Sequence, residues 1–274
     1  MAGTDFLSRL VARFIGGVVQ VCLLASGSKG NAIFIAAGAS KLLVDCGLSA
    51  TETLNRLAAI GVEGCELDAV LVSHEHTDHV RGAGTLARKL KIPLLASYPT
   101  CREIHTSLRK TEVIEFEAGY QFTFRDILID PFPITHDACD PVGFLIETAA
   151  GRVGVATDLG IATRLVKDKL QGCRALVVES NHDEEMLLNG PYPWHLKQRI
   201  KSRHGHLSNN DSSELLADLL HSRLEAVFLA HLSEVNNDPS VALDVATRLI
   251  DSQNLCAPRL VVGEQHRPSE IWAA

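Results

Sequence analysis

The feature that most constrains the fold is residues 73–79, which place four potential metal ligands directly behind a short apolar run. The stretch reads Ser-His-Glu-His-Thr-Asp-His, and residues 69–72 before it read Ala-Val-Leu-Val. Such a run predicts a short buried strand. The loop at its end can aim His74 and His76 at one position while Asp78 and His79 turn toward another. Because these groups are costly to bury without partners, we expect the fold to bring further polar side chains to them.

Three more potential ligands each follow a predicted strand. Residues 127–133, 153–156 and 226–229 are apolar runs of strand length, and they lead to His136, Asp158 and His231. Imidazole nitrogens and carboxylate oxygens are ligands that zinc, manganese and iron share. Together with residues 73–79 they complete two sets of three ligands and one bridging residue.

The remaining pattern predicts an α/β protein with two sheets between helices. Further strands are predicted at residues 18–24, 32–36, 41–45, 93–96, 112–116, 121–124, 142–148 and 175–179. Helices are predicted at residues 50–60, 82–90, 161–170, 193–202, 208–220 and 239–251. Since no linker or low-complexity segment interrupts the chain, we expect one domain over residues 18–274, preceded by an N-terminal extension, residues 1–17.

Composition limits the partners of the chain. Its net charge of −7 over 274 residues provides no global basic field, so nucleic acid would have to bind a local patch. Seven dispersed cysteines without a CxxC pair favour reduced thiols in the cytoplasm over disulfides or a thiolate zinc site. The apolar run at residues 5–19 contains Arg9 and Arg13 and is too short for a membrane span. We expect no membrane partner, and the oligomeric state stays open.

Residues 73–79, followed in order by His136, Asp158 and His231, resemble the metallo-β-lactamase superfamily from about residue 18 onward. The resemblance implies a four-layer αβ/βα sandwich with two divalent ions, Zn²⁺ or Mn²⁺, at one edge. It assigns the first ion to His74, His76 and His136, and the second to Asp78, His79 and His231. Asp158 would bridge the ions, and Asp45 would lie behind the ligands.

The implied metal centre favours phosphodiesters. Two ions lower the pKa of a shared water toward neutrality, which gives a bridging hydroxide as nucleophile beside the catalytic ligand Asp78. Two divalent ions, the carboxylates of Asp78 and Asp158 and the hydroxide together carry a net charge of about +1. This positive charge stabilises the transition state of phosphodiester hydrolysis, which is more anionic than the substrate. β-Lactamases of the family commonly use a cysteine in the second site, whereas Cys139 does not occupy the position of Asp158. Glyoxalase-II-type hydrolases share the loop, but their C-terminal helical domain is not evident here.

Two resemblances point further toward nucleases. Residues 205–209, Gly-His-Leu-Ser-Asn, resemble an element of ribonuclease Z in which the histidine contacts the scissile phosphate and protonates the leaving oxygen. His206 would take that role, and Glu179 would orient it. Residues 25–31, 181–183 and 189–194 resemble the YycJ/WalJ group of bacterial hydrolases, regarded as DNA 5′-exonucleases. The candidate substrate contacts are Asn31, His182, Ser208 and Asn209, and a turn, structural or helix-capping role is the alternative for them.

The sequence therefore predicts a dinuclear metal-dependent phosphodiesterase that acts on nucleic acid, DNA rather than RNA, from a 5′ end. A small-molecule phosphodiesterase and a non-catalytic metal-bound regulatory module remain as alternatives. Only 73 positions separate Asp158 from His231, which leaves no room for a long inserted cap. A nucleic acid strand would instead contact the basic residues within positions 197–203 and Trp194. The alternative is that these residues form a solvated helix face.

Overall fold

The computed structural model describes residues 18–274. The expected N-terminal extension, residues 1–17, lies outside the described residues. The strands, in chain order, are β1 Val19–Ala25, β2 Ala32–Ala37, β3 Ser40–Val44, β4 Ala69–Leu71, β5 Leu94–Ser97, β6 Val113–Phe116, β7 Phe122–Phe124, β8 Ile127–Pro133, β9 Val142–Thr148, β10 Gly151–Ala156, β11 Ala175–Glu179, β12 Ala226–Ala230, β13 Arg259–Val262 and β14 Trp272–Ala273.

The helices flank these strands in both halves of the chain. They are α1 Ala50–Ala59, α2 Thr77–Val80, α3 Ala83–Leu90, α4 Tyr98–Glu103, α5 Arg164–Leu170, α6 Glu184–Asn189, α7 Trp194–Ile200, α8 Asn209–Leu219 and α9 Pro239–Asp251. A short 3₁₀ helix spans Gly64–Glu66. Within the described range of residues 18–274, no helix has the length and hydrophobicity that a membrane span requires.

Two seven-stranded sheets form the centre of the fold. The first has the order β14-β1-β2-β3-β4-β5-β6, and the second has the order β13-β12-β11-β10-β9-β8-β7. Strands β3 to β6 run parallel in the first sheet, and β10 to β13 run parallel in the second. Each half therefore combines an antiparallel start with a parallel section whose crossovers contain the helices.

Side chains of β1 show why these strands read as continuous apolar runs. Val21 and Leu23 pack into the core between the two sheets. Cys22 and Leu24 point the other way, into the core between the first sheet and its helices. Because successive strand residues face opposite sides and both sides are buried, the strand needs no polar alternation. A third core lies between the second sheet and its helices, so the four-layer sandwich predicted from the sequence is confirmed.

The helices begin at residues suited to capping. Ser49 accepts a hydrogen bond from the Glu52 N–H at the start of α1, and Asp238 caps α9, whose first residue is Pro239. Short helices α2, α4 and α6 were not predicted, because four to six residues are too few to show a 3.6-residue period. Strand β13 was not predicted either, and neither was β14. Strand β14 has only two residues and pairs with β1, far away in sequence.

This topology gathers the polar strand ends at one edge of the sandwich. Since β3 and β4 are parallel, Asp45 and residues 73–79 follow them at the same end of the first sheet. Parallel strands β10, β11 and β12 likewise bring Asp158, Glu179 and His231 together at the end of the second sheet. Ligand sites of α/β proteins form at such carboxyl ends.

Candidate metal centre

Three residues that follow strands have a left-handed backbone conformation, which turns the chain sharply at the strand end. Asp45, Asp158 and His231 have φ angles of 61°, 56° and 57°. This left-handed conformation is uncommon for residues other than glycine and persists where surrounding contacts fix it. All three are almost fully buried. The backbone at these positions is thus shaped to place side chains in the candidate site.

The first group of candidate ligands consists of three histidines. Nδ1 of His76 lies 3.1 Å from Nε2 of His74 and 3.2 Å from Nε2 of His136. The ligand atoms of this group all lie within 4.8 Å of one another. Three imidazole nitrogens that converge in this way match the ligand set of a zinc-type ion.

The second group consists of Asp78, His79 and His231, and Asp158 lies between the two groups. Nε2 of His79 and Nε2 of His231 lie 3.5 Å and 3.6 Å from Oδ2 of Asp78. Oδ2 of Asp158 lies 3.1 Å from Nε2 of His79, whereas its Oδ1 lies 3.7 Å from Nε2 of His136 in the first group. The carboxylate of Asp158 is therefore placed to reach an ion in either group.

Hydrogen bonds behind the ligands hold Nδ1 of two histidines, so that Nε2 of each lies within a ligand group. Nδ1 of His79 donates to Oδ2 of Asp45 over 2.8 Å. Ser73 donates to the same carboxylate through its N–H and its hydroxyl, so the Ser73 oxygen accepts from Nδ1 of His74 at 2.9 Å. A partner at Nδ1 fixes both the orientation and the tautomer of an imidazole that binds metal through Nε2.

Glu179 supports the second sheet's side of the site with four hydrogen bonds. Its Oε1 accepts from Nδ1 of His206 and Nδ1 of His231, each at 2.8 Å. Its Oε2 accepts from the N–H groups of Leu159 and Leu207. Burial raises the pKa of Glu179, but His206 and His231 outweigh that and lower it to about 2. Glu179 is therefore a buried carboxylate that is ionised at neutral pH.

Buried atoms without partners show that these residues suit a divalent cation. Oδ2 of Asp158 and Nε2 of His231 are buried and make no hydrogen bond of acceptable geometry, which is rare in folded proteins. Burial lowers the pKa of His231, but Asp158, Asp78 and Glu179 outweigh it and raise that pKa well above its usual value. Asp158 has the same effect on His79. A divalent cation would take the place of these protons, so metal binding weakens as the pH falls.

A cleft of about 270 Å³ opens above both ligand groups. The side chains that line it include His76, Asp78, His136, Asp158, His206 and His231. The ring centroid of His206 lies 5.3 Å from that of His136 and 5.1 Å from that of His231. Because Glu179 binds its Nδ1, His206 has Nε2 available for a molecule in the cleft.

Similar proteins identify the family. Residues 40–231 match the family described as Beta-lactamase superfamily domain. The chain belongs to the metallo-β-lactamase superfamily. It is 36% identical over 236 residues to exodeoxyribonuclease YycJ of Bacillus anthracis, covering 84% of this chain and 89% of that protein. It is 38% identical over 225 residues to exodeoxyribonuclease WalJ of Streptococcus pneumoniae, covering 80% and 84%.

A solved structure agrees in fold. The metallo-β-lactamase-fold protein YhfI from Bacillus subtilis aligns over 94% of this chain and all of that chain, with a TM-score of 0.72 and 16% sequence identity. The prediction of a metallo-β-lactamase superfamily hydrolase from the YycJ/WalJ-like group is confirmed. The roles of individual residues remain predictions that rest on the geometry above.

One of the predicted substrate contacts, Asn31, lies near the candidate ligands. Nδ2 of Asn31 lies 3.0 Å from Nε2 of His79 and 3.3 Å from Oδ2 of Asp78, and Asn31 is buried. It therefore faces the second ligand group, and its contact with a phosphate stays a prediction. His182 lies outside the cleft and lines a separate cavity beyond His206.

The other two predicted substrate contacts, Ser208 and Asn209, have hydrogen-bond partners within the protein. Ser208 caps α8, where its hydroxyl accepts from the Asp211 N–H. Asn209 accepts a hydrogen bond from Ser180 and donates one to Asn237. Both residues are buried and do not line the cleft. The polar groups of Ser208 and Asn209 are therefore bonded within the protein, to the start of α8 and to Ser180 and Asn237.

Sequence reasoning missed two supports of His231. Ser26 accepts the His231 N–H at 2.6 Å, and Asn181 donates to the His231 carbonyl at 2.8 Å. Both belong to segments that resembled the YycJ/WalJ group, but nothing in the sequence links them to His231. Their roles became visible only when the fold brought the three segments together.

The predicted basic stretch is partly used inside the protein. The Lys197 ammonium donates to the carbonyls of Leu188 and Gly190. Arg199 lines the cleft and forms an exposed ion pair with Asp137. The side chain of Trp194 is 63% exposed. Arg199 is therefore a cation in the cleft wall, and Trp194 is an exposed aromatic side chain five positions earlier.

Proposed function

We propose that the chain is a metal-dependent DNA 5′-exonuclease whose candidate ligands hold two divalent ions, Zn²⁺ or Mn²⁺. The observation that carries the proposal is the His206–Glu179 pair beside the joined ligand groups. Relatives of 36% and 38% identity that are named exodeoxyribonucleases support DNA as the substrate. Bound ions would supply Lewis acidity and a water of lowered pKa at this position.

The residues divide the remaining work of hydrolysis between them. Glu179, ionised and buried, orients His206 through its Nδ1 and stabilises positive charge on the ring. Water gives one proton to solvent, and its oxygen bonds to phosphorus while the bond from phosphorus to the leaving O3′ breaks, so that the electron pair stays on O3′. That oxygen takes the proton held at Nε2 of His206, and solvent returns a proton to the ring. The shortened strand keeps the new 5′-phosphate.

A DNA strand would bind through local positive charge and aromatic contacts at the cleft. The chain is acidic overall, so binding must depend on local groups at the cleft. Arg199 offers a cation at the cleft wall, and the exposed indole of Trp194 nearby in sequence offers a face on which a base can stack. We expect this binding to be weak and sensitive to salt.

A small-molecule phosphodiesterase is the second candidate. The cleft volume of about 270 Å³ and the net charge of −7 favour a mononucleotide-sized substrate over an extended strand. The catalytic residues would be the same. The two candidates differ in the substrate that is turned over, and one assay separates them.

The assay uses purified protein supplied with Mn²⁺ or Zn²⁺. It offers 5′-labelled single-stranded DNA, double-stranded DNA, RNA and bis(p-nitrophenyl) phosphate. We expect mononucleotides to be released from the 5′ end of DNA, and Asp78→Ala to abolish this release. Asp244→Ala, which removes an exposed carboxylate on α9, is the matched control and should keep full activity.

Each other outcome rejects the proposal in a different way. Turnover of the chromogenic diester without any cleavage of DNA would favour the small-molecule enzyme. Cleavage of RNA alone would correct the substrate. Inactivity on all four substrates, with metal bound, would indicate a regulatory module.

A further inference from the structure

A second cavity adjoins the cleft and has no part in the mechanism above. Its volume is about 260 Å³, and His206 forms part of the wall of both spaces. Apolar parts of its wall come from Ile161, Ala162, Leu207 and Leu215. The cavity and the cleft thus share the residue that holds the proton for the leaving group.

His182 is a buried polar residue in this wall. Its side chain is 2% exposed, and its Nδ1 is buried without a hydrogen bond. Burial lowers the pKa of His182, so the ring is neutral at pH 7 and offers one donor and one acceptor. An unpaired buried polar atom costs about 1–3 kcal/mol. A ligand in the cavity with a hydrogen-bonding edge would remove that cost.

The charges around the cavity argue against a phosphate as its occupant. Its wall contains two lysines and three carboxylates, a net charge of −1, from Lys167, Lys201, Glu184, Asp211 and Glu214. Lys167 is already paired with Asp218 at 2.7 Å. Apolar walls, a neutral imidazole and balanced charge instead suit a neutral molecule with polar edges. A nucleoside has this character.

We propose that this cavity receives the nucleoside on the leaving side of the scissile phosphodiester. This inference rests on the proposed function, because it takes O3′ as the oxygen that His206 protonates. The nucleoside attached to O3′ must lie on the His206 side of phosphorus, and His206 forms part of the wall of the cavity. In cleavage from a 5′ end, it is the terminal nucleoside of the strand.

The size of the cavity restricts what enters. About 260 Å³ lies just below the usual range for small-molecule sites, about 300–1,000 Å³. One nucleoside fits such a space, whereas a base pair does not. The terminal nucleotide therefore leaves the stack before cleavage, which costs a few kcal/mol in a paired end and least in a single strand.

The kinetic test fills the cavity and compares two substrates. Ala162→Phe places a ring in the wall of the cavity, and turnover is measured on 5′-labelled single-stranded DNA and on bis(p-nitrophenyl) phosphate, which has no nucleoside. We expect the ratio of DNA turnover to diester turnover to fall at least tenfold. Ala149→Phe is the matched control. It adds the same ring to the exposed turn before β10, at the opposite end of that strand from Asp158, and the ratio should stay within twofold.

A binding test separates the cavity from the nuclease assignment. Calorimetry on metal-loaded protein measures the affinities of inorganic phosphate and of thymidine 3′-monophosphate, whose nucleoside is joined to phosphorus through O3′. We expect the nucleotide to bind more tightly than phosphate to the wild type. Ala162→Phe and His182→Ala should weaken nucleotide binding at least tenfold, whereas His182→Gln, which keeps a polar group, should restore part of it.

These results separate the two hypotheses. The cavity proposal is overturned if the nucleotide binds no more tightly than phosphate, or if Ala162→Phe leaves both the nucleotide affinity and the turnover ratio unchanged. If the protein cleaves no DNA but nucleotide binding depends on residues 162 and 182, the nuclease proposal fails and the nucleoside cavity stands. Should Ala162→Phe not fold, the comparison of His182→Ala with His182→Gln decides.

Discussion

Glu179→Gln tests whether one buried carboxylate supports both the candidate ligand His231 and the candidate proton donor His206. Glutamine keeps the shape of the side chain but has one acceptor oxygen instead of two. Glu179 accepts four hydrogen bonds, two on each oxygen, and is fully buried. In the variant, the amide NH₂ must face either two imidazole N–H groups or two backbone N–H groups.

The magnitude follows from those unpaired donors. Each buried donor without an acceptor costs about 1–3 kcal/mol, so two cost about 2–6 kcal/mol. Part of this is offset because the neutral amide is less costly to bury than a carboxylate. We expect a net loss of about 3 kcal/mol, or a fall in Tm of about 6–12 °C for a domain of this size. Loss of the hydrogen bond behind His231 should weaken metal binding about 10- to 100-fold.

Two assays measure the effects separately. Thermal unfolding in excess chelator reports the stability of the metal-free protein, and competition with a chromogenic chelator reports Zn²⁺ affinity. Glu185→Gln changes an exposed glutamate on α6 in the same way and should alter neither quantity. If Glu179→Gln keeps its Tm within 2 °C and its Zn²⁺ affinity within twofold, the supporting role assigned to Glu179 is wrong.

Three further substitutions test other parts of the structure. Asp45→Asn should lower Zn²⁺ affinity about 10- to 100-fold by loosening His79, and unchanged affinity in the chelator competition would contradict this. His206→Ala should slow DNA cleavage about 10²- to 10⁴-fold with an unchanged metal content, whereas loss of metal would show that the residue is a ligand. Burial raises the pKa of Asp126, but hydrogen bonds from Ser40 and the backbone outweigh it and lower the pKa. The resulting stability is present above the ordinary value of 3.8 and disappears as the pH falls through the lower folded value. Asp126→Asn should thus be about 1 kcal/mol less stable at pH 7, with a difference that shrinks below pH 4 in urea unfolding; a difference independent of pH would refute the assignment.

The layers of the fold could be predicted because the strands are apolar runs whose ends are visible in the sequence. Apolar runs such as those of β1 and β12 end at glycine or at polar residues, and length alone distinguishes them from the helices. The pairing of β14 with β1 could not be predicted, since two residues carry no period. Likewise, Gln265 holds the loop at residues 29–30 through both ends of its amide. No local pattern reveals a contact that spans more than 230 positions.

The candidate ligands could be predicted because each is a histidine or aspartate that follows an apolar strand. His136, Asp158 and His231 lie far apart in sequence, yet each stands directly behind a strand and the fold brings them to one edge. The bonding of neighbouring polar residues could not be predicted. Ser208 and Asn209 looked available for substrate, but their polar groups are used by the helix cap and by Asn237. The second cavity also depends on packing between segments that are distant in sequence.

The metal content of the folded protein tests the central claim most directly. The protein is purified without chelator, saturated with Zn²⁺ or Mn²⁺, desalted, and measured by mass spectrometry for ions per chain. We predict two ions per chain in the wild type and fewer than one in Asp158→Ala, because this carboxylate lies within 3.7 Å of both ligand groups. A folded wild-type protein that holds at most one ion at saturation, or an Asp158→Ala variant that still holds two, would contradict the dinuclear centre.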